Sequence, residues 1–308
     1  MTGANIRRAI LFINPKKKQA KALGAVIKRE LSSLQIQAFD FSFKGKPRFN
    51  TREGYNVAIT LGGDGTVLYA ARTISPLGVP IFPVNLGTFG FIAGVQPSEW
   101  RQVFDRWLKG EVSISRRLMF EVTVQRGGGE ILKGCCLNDV VVSASGIAKM
   151  ISLDVSTEST ASAESGRDFM KLGSYRCDGL IIATPTGSTA HSVAAGGPIV
   201  DTEVQAIVLN PICPFTLSHR PMVLSSAETV LVEVQENQRS GVLLTVDGQV
   251  TEKLKSGDRV FIKRAPYDSL LIACGRDVFL QALKTKLSWS GGDNISIPRA
   301  VSESRLPL

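Results

Sequence analysis

The distribution of apolar residues changes character near Glu111, and that change constrains the fold more than any other feature of the sequence. Before it, short apolar runs alternate with segments of helical spacing. Ile10 to Ile13 reads as a strand closed by Asn14-Pro15, and Leu23, Val26, Ile27, Leu31 and Leu34 then recur near helical spacing. Tyr55 to Leu61 reads as a second buried strand, broken by Gly62-Gly63-Asp64-Gly65. Thr66 to Ile74 follows as a helix with Val67, Leu68, Ala71 and Ile74 on one side. Val79 to Val84 is a further strand, and Pro80 and Pro83 point to an edge or an irregular path for it. Ser98 reads as the cap of a helix carrying Trp100, Val103, Phe104, Trp107 and Leu108. Strands separated by helices imply a parallel sheet covered on both faces.

After Glu111 strands dominate as far as about Cys274. Arg126-Gly127-Gly128-Gly129 separates two strand-like runs, and Lys255-Ser256-Gly257-Asp258 marks another turn. Asp247-Gly248 is a tight-hairpin signal between Val242 to Val246 and Gln249 to Leu254. Thr157 to Arg167 is polar and reads as an exposed loop. Phe279, Leu280, Leu283 and Leu287 suggest a final helix that packs back on the first part of the chain.

A chain of 308 residues, 44% hydrophobic, has material for two cores. No apolar run approaches the ~20 residues a membrane span needs, and no cleavage signal follows the first one. The expectation is a cytoplasmic protein with no membrane partner. The five cysteines are spread without zinc spacing and read as reduced thiols, and two histidines exclude a His-rich metal site. The net charge of +9 suits anionic ligands. Its basic residues are scattered and form no recognised nucleic-acid module, so no nucleic-acid partner is expected. The densest cluster, Lys16-Lys17-Lys18, reads as a solvated loop or a phosphate contact.

Three constellations carry chemistry. In Gly62-Gly63-Asp64-Gly65-Thr66, glycines between a strand and a helix let backbone amides approach a phosphate chain, and the helix start favours negative charge. A carboxylate suits that place if it meets a metal bridging to the phosphates or takes a proton from an attacking hydroxyl, which makes Asp64 the candidate general base. A tight turn with Asp64 as a cap explains the same residues. In Leu137-Asn138-Asp139-Val140-Val141-Val142 an amide and a carboxylate lead into a strand and suit an adenine edge and ribose hydroxyls. A hairpin turn is the structural alternative. The longest stretch runs from Tyr175 to His191. A buried strand enters a Pro/Gly turn rich in hydroxyls and then a small-residue helix where a flat ligand could lie close to His191. Those hydroxyls serve equally as caps and turn bonds.

Together these motifs resemble NAD kinases. The matching pieces are GGDGT at 62–66, NLGTFGF at 85–91, LNDVV at 137–141, CDGLIIATPTGSTAH at 177–191, PICPFTLSHRP at 211–221 and VDGQ at 246–249, in the family's order over roughly residues 10–290. The glycine-aspartate motif is shared with phosphofructokinases and lipid kinases; the 177–191 stretch is far more specific.

The resemblance implies an α/β domain with a parallel sheet over residues 1–112 and a dinucleotide-binding β-sandwich domain over 113–275. A C-terminal segment, 276–308, would return to the first domain. It implies ATP and NAD as substrates, NADP as product, a divalent metal ion such as magnesium, and a homodimer or homotetramer. Asp64 would activate the adenosine 2′-hydroxyl of NAD beside Gly62, Gly63, Gly65 and Thr66. Asn138 and Asp139 would hold adenosine and ribose, Thr186 and Thr189 the adenosine pocket, and His191 the aromatic place near adenine. Asp178 and Ala190 would meet the nicotinamide side, Arg176 a phosphate, Phe91 would wall the pocket, and Gln249 would add a polar contact. No metal ligands are assigned. Asp139 departs from the family's usual Glu by one methylene, which would shift the ribose contact or admit a water. A lipid kinase of the diacylglycerol or sphingosine type shares Asn14-Pro15 and GGDGT but leaves 177–191 without a role. A non-catalytic NADP sensor leaves Asp64 without one.

Overall fold

The computed structural model describes residues 6–41, 54–87, 90–146, 149–159 and 169–287. The first part alternates as the apolar spacing requires: β1 (Arg8–Ile13), α1 (Lys18–Ser33), β2 (Gln37–Asp40), β3 (Val57–Gly62), α2 (Asp64–Ile74), β4 (Ile81–Asn85) and α3 (Trp100–Leu108). All four strands run parallel, in the order β2-β1-β3-β4. Leu11, Ile59 and Leu61 meet Ala20, Ile27 and Leu31 of α1 and Phe104 and Trp107 of α3 on one face. Ile10, Phe12 and Ala58 meet Val67, Ala70 and Ala71 of α2 on the other.

Three expectations are corrected. β4 is an interior strand, flanked by β3 and the last strand of the chain, in spite of Pro83. The Pro83 carbonyl accepts from the Val95 N–H at 3.3 Å, on the side away from β3. In an extended strand the ring nitrogen points the same way, so the missing donor breaks no β3–β4 bond. Ser98 does not cap α3, whose N-cap is Glu99 without a side-chain bond. Thr157 to Ser159 belong to a strand instead of a loop, and the remainder of that polar stretch, 160–167, lies outside the described residues.

The second part is antiparallel. It comprises β5 (Ile114–Arg126), β6 (Gly129–Cys136), β7 (Asp139–Ala144), β8 (Ile151–Ser159), β9 (Met170–Cys177) and β10 (Gly179–Ala183). The short helix α4 (His191–Ala194) precedes β11 (Ala206–Ile212), β12 (Met222–Ser225), β13 (Glu228–Val234), β14 (Val242–Val246), β15 (Val250–Leu254) and β16 (Arg259–Ile272). One six-stranded sheet has the order β12-β11-β10-β7-β14-β15. The other strands extend the parallel sheet. β16 lies parallel to β4 at Leu271–Ile81, antiparallel to β5 and β13, and carries an irregularity between Arg264 and Asp268. The two sheets face each other across a core that includes Phe120, Val140, Val142, Leu153, Leu180, Ile182, Val232 and Leu244. The result is a two-domain α/β fold with a mixed sheet, an antiparallel sheet and a last helix, α5 (Arg276–Leu287). α5 returns to the first domain, where the Phe279 ring lies 6.3 Å from that of Phe91. Among the described residues no helix is long and apolar enough to cross a membrane.

Candidate active site

The strand order generates the first half of the site. The helix after β1 leads outward to β2, and the helix after β3 leads the other way to β4, so the connections diverge between β1 and β3. Ligands of open α/β sheets bind in the crevice beyond the strand ends at such a point. Asn14 and Gly62-Gly63 occupy it. The Asn14 N–H donates to the Leu61 carbonyl at 3.0 Å, and its Nδ2 lies 3.2 Å from Thr66 Oγ1. A Cβ on Gly62 would stand 2.0 Å from Thr66 Oγ1, so only glycine lets the buried Thr66 hydroxyl tuck beneath the loop. Gly63 caps α2 in extended conformation, and a Cβ there would meet nothing within 4 Å. Gly65 is exposed in the first turn. Lys17 of the basic cluster swings in, its Nζ 2.9 Å from the Leu86 carbonyl.

Asp64 opens α2, where the helix dipole favours a carboxylate. Its Oδ2 accepts the Phe91 N–H at 3.1 Å, and its Oδ1 accepts those of Ile92 at 3.4 Å and Ala93 at 3.0 Å. Gly90 is what permits this, because a Cβ there would lie 2.0 Å from Oδ1. The carboxylate is thus fixed in direction by a segment almost thirty residues away, well beyond the reach of a local cap. Phe91 faces α5, with Lys286 Nζ 5.1 Å from its ring centre.

The second half is a cavity of about 290 Å³ on the outer face of the six-stranded sheet. Alternation along β7 builds its floor: Val140 and Val142 enter the sandwich core, while Asp139, Val141 and Ser143 face the cavity beside Thr245 of β14. Asn138, Ala190, His191, Asp247 and Gly248 complete the lining. Asn138 Oδ1 is buried with no hydrogen-bond partner among the described residues. An unmet buried acceptor is costly, so this atom is suited to a ligand N–H or O–H. Burial, and secondarily the charge of Asp247, push the Asp139 carboxyl up to about 7, and a hydrogen bond from the His191 backbone draws it partly back. Behind the cavity, Thr184 and Gly187 lock the 184–189 turn to the Leu137–Asn138 backbone. Thr184 Oγ1 donates to the Leu137 carbonyl at 2.5 Å and its N–H to that of Asn138 at 2.8 Å. A Cβ on Gly187 would lie 2.0 Å from the Asn138 carbonyl oxygen.

Thr186 and Thr189 are buried in this turn, with Thr189 Oγ1 3.2 Å from the Thr186 carbonyl. Arg176 and Asp178 are not brought to the cavity. The Ala144 N–H donates to the Asp178 carbonyl, which puts Asp178 at the far end of β7, about 16 Å from Asp139 at strand spacing. Arg176 stacks its guanidinium over Phe215 at 4.8 Å. Gln249 uses both ends of its amide inside the protein: Nε2 donates to the Gly65 carbonyl at 2.7 Å and Oε1 accepts from Arg72.

Two residues escaped the sequence reading. Asp247 has the positive φ of a tight hairpin turn, 49°, followed by Gly248 at 64°. Its buried carboxylate also accepts the backbone N–H groups of Leu137 at 3.2 Å, Asn138 at 2.8 Å and Asp139 at 3.3 Å. Arg72 of α2 supplies the counter-charge, Nη1 to Oδ2 at 2.8 Å. The turn signal hid the first; nothing local marks the second. Among the described residues no three His, Cys, Asp or Glu side chains converge to hold a metal ion.

Comparison with known proteins bears on this arrangement. Residues 13–112 match the model of the ATP-NAD kinase N-terminal domain, and residues 137–274 that of the ATP-NAD kinase C-terminal domain. The chain is 39% identical to the NAD kinase of Treponema denticola over 94% of its length and 99% of that protein. It is 40% identical to the NAD kinase of Geobacter sulfurreducens over 76% of its length and 78% of that protein. In fold it resembles yeast NADH kinase complexed with NADH, with a TM-score of 0.81 at 20% identity over 95% of this chain and 90% of that one. It also resembles an NAD kinase from Archaeoglobus fulgidus in complex with ATP, with a TM-score of 0.68 at 22% identity over 92% and 99%.

Proposed function

The chain belongs to the NAD kinase family, and on that premise we propose that it transfers the terminal phosphate of ATP to the 2′-hydroxyl of the adenosine ribose of NAD, giving NADP. The observation that carries the acceptor assignment is the unmet buried Oδ1 of Asn138 beside the Asp139 carboxyl in one cavity. These are an acceptor for an adenine amine and a partner for ribose hydroxyls. The triphosphate lies over Gly62–Gly65 at the start of α2, where backbone amides and the helix dipole meet negative charge. A divalent ion such as magnesium, brought in with ATP, would be held chiefly by the phosphates, as is usual for this ion, and would neutralise part of their charge. Asp64, held by three amides, takes the proton as the 2′-oxygen forms its bond to phosphorus and the bond to ADP breaks. The enzyme works in the cytoplasm as a homodimer or homotetramer.

The family matches favour this reading over a lipid kinase, and the 177–191 stretch that a lipid kinase leaves without a role brings Ala190 and His191 to one cavity with Asn138 and Asp139. The test is incubation with ATP, magnesium and NAD, with NADP read by a coupled dehydrogenase, beside a parallel incubation with diacylglycerol. NADP formation that stops in excess chelator is expected. Phosphorylation of the lipid in place of NAD would overturn the assignment.

A further inference from the structure

We propose that Arg72 and Asp247 form a clamp that sets the distance between the phosphate-donor loop and the nucleoside pocket, and that both act as positioning residues for transfer. This deepens the kinase reading and rests on it. The donor loop begins α2, and Arg72 lies two turns further along the same helix. Its guanidinium links α2 to the hairpin between β14 and β15: Nη1 meets Asp247 Oδ2 at 2.8 Å and Nη2 meets Gln249 Oε1 at 2.5 Å. Gln249 returns to the donor loop through the Gly65 carbonyl, next to Asp64. The other side of Asp247 holds the N–H groups of Leu137, Asn138 and Asp139. One carboxylate therefore takes four donors, three from the acceptor pocket and one from the donor helix.

The pair is shielded from water, with side-chain exposures of 11% for Arg72 and 0% for Asp247. Neither guanidinium nor carboxylate has an evident reason to be there as surface charge. A buried pair of this kind stabilises little over an apolar substitute but fixes geometry. Geometry is what phosphoryl transfer between two separately bound substrates demands: the reacting atoms must come within about 3–3.5 Å, and an error of about 1 Å can cost roughly 100-fold. Arg72 is suited because its fork engages two partners at once. A lysine keeps the charge and reaches only one.

The experiment compares the unaltered chain with Arg72→Lys, Gln249→Leu and the double variant, measuring kcat, both KM values, NAD affinity by calorimetry and thermal midpoint. Arg72→Lys is expected to lose at least tenfold in kcat while NAD affinity stays within about threefold and the protein stays folded at the assay temperature. The double variant is expected to lose no more than Arg72→Lys alone, because both changes cut one link. A kcat within threefold of the unaltered chain overturns the clamp. So does a loss expressed in NAD affinity with kcat retained, which would make Arg72 a support of the pocket alone. Losses that multiply in the double variant also overturn it. Should Arg72→Lys not fold, Gln249→Leu alone decides: the exposed residue must lower kcat severalfold with NAD affinity intact, or the clamp fails. Absent turnover in the unaltered chain overturns the kinase reading and the clamp with it.

Discussion

Replacing Asp64 by Asn separates the two things that its carboxylate does. The side chain accepts three backbone N–H groups, two on Oδ1 and one on Oδ2. An amide retains one oxygen. Its best orientation keeps Ile92 and Ala93 and turns the NH2 toward the Phe91 N–H, which loses one bond and leaves the other two without charge assistance. The cost is about 1–3 kcal/mol. Against a total stability of about 5–15 kcal/mol the variant remains folded, and its midpoint falls by roughly 2–12 °C. Nothing in the 290 Å³ cavity changes, since Asp64 does not line it, so NAD affinity should hold within a few fold. Turnover is another matter. A positioned general base supplies ~100- to 10,000-fold, so kcat should drop at least ~100-fold, a barrier increase of about 2.7 kcal/mol. The assay is steady-state NADP formation at saturating ATP, with NAD affinity and melting measured on the same preparation. Turnover within threefold of the unaltered chain would refute the base assignment and leave Asp64 as the tie that holds the 91–93 segment. Proportionate losses of affinity and activity would make it a ligand-positioning group.

Three further outcomes follow from the same contacts. Gly90→Ala keeps every charge but places a Cβ 2.0 Å from Asp64 Oδ1, forcing the carboxylate off its amides; kcat should fall at least about tenfold, and unchanged kcat would show that its direction is immaterial. Gly187→Ala drives a Cβ into the Asn138 backbone, whose carbonyl oxygen, carbon and Cα would lie 2.0, 2.4 and 2.6 Å away. Overpacking there costs about 1–3 kcal/mol, and calorimetry should show NAD binding weakened about tenfold or more, with unaltered affinity counting against a pocket at Asn138. The Asp139 carboxyl, raised by burial to about 7, binds a proton more tightly in the folded than in the unfolded chain. Its contribution is therefore fully present at low pH and is lost as pH rises from about 4 to about 7, at most about 4 kcal/mol. Denaturant unfolding of Asp139→Asn should show a flatter pH slope across that window, and parallel slopes would rule the titration out.

The alternation before Glu111 was readable because each element has its own periodicity: β1, β3, α1 and α2 are continuous in sequence and bury one face or both. β2 was not, because its four residues are partly exposed at a sheet edge and leave no apolar run. β4 was found, but its prolines pointed to an edge or an irregular path, and it lies in the interior of the sheet. The proline rule concerns the direction of one N–H, which a sequence does not reveal, and in this strand that N–H would have faced away from β3. β16 shows the limit more clearly. Its fourteen residues lie in the strand-rich stretch that ends near Cys274, where nothing sets them apart, yet β16 joins the parallel to the antiparallel strands in a single sheet. Pairing between strands nearly two hundred residues apart is set by the packing of both cores and is not carried by either strand alone.

The site divides along the same line. Asn138, Asp139, Ala190 and His191 lie within short motifs and meet at one cavity because β7 and the turn after β10 are neighbours. What holds that cavity in place is recorded nowhere locally. Asp247 presents itself as half of a hairpin turn, and it is one, but a turn could be made as well by Asn-Gly. The carboxylate is needed for a different reason: three consecutive N–H groups at Leu137, Asn138 and Asp139 point inward where no strand pairs with them, and a neutral amide could not accept them all together with a guanidinium. That charge in turn is met by Arg72 of α2, the helix that starts at the Gly62–Gly65 loop and reaches the hairpin at hydrogen-bond distance. The demand runs from unpaired backbone to buried anion to counter-ion, and each step crosses more than a hundred residues of sequence. Motif reading finds residues that would touch a ligand; the residues that fix where those groups stand follow only once the buried donors have been counted.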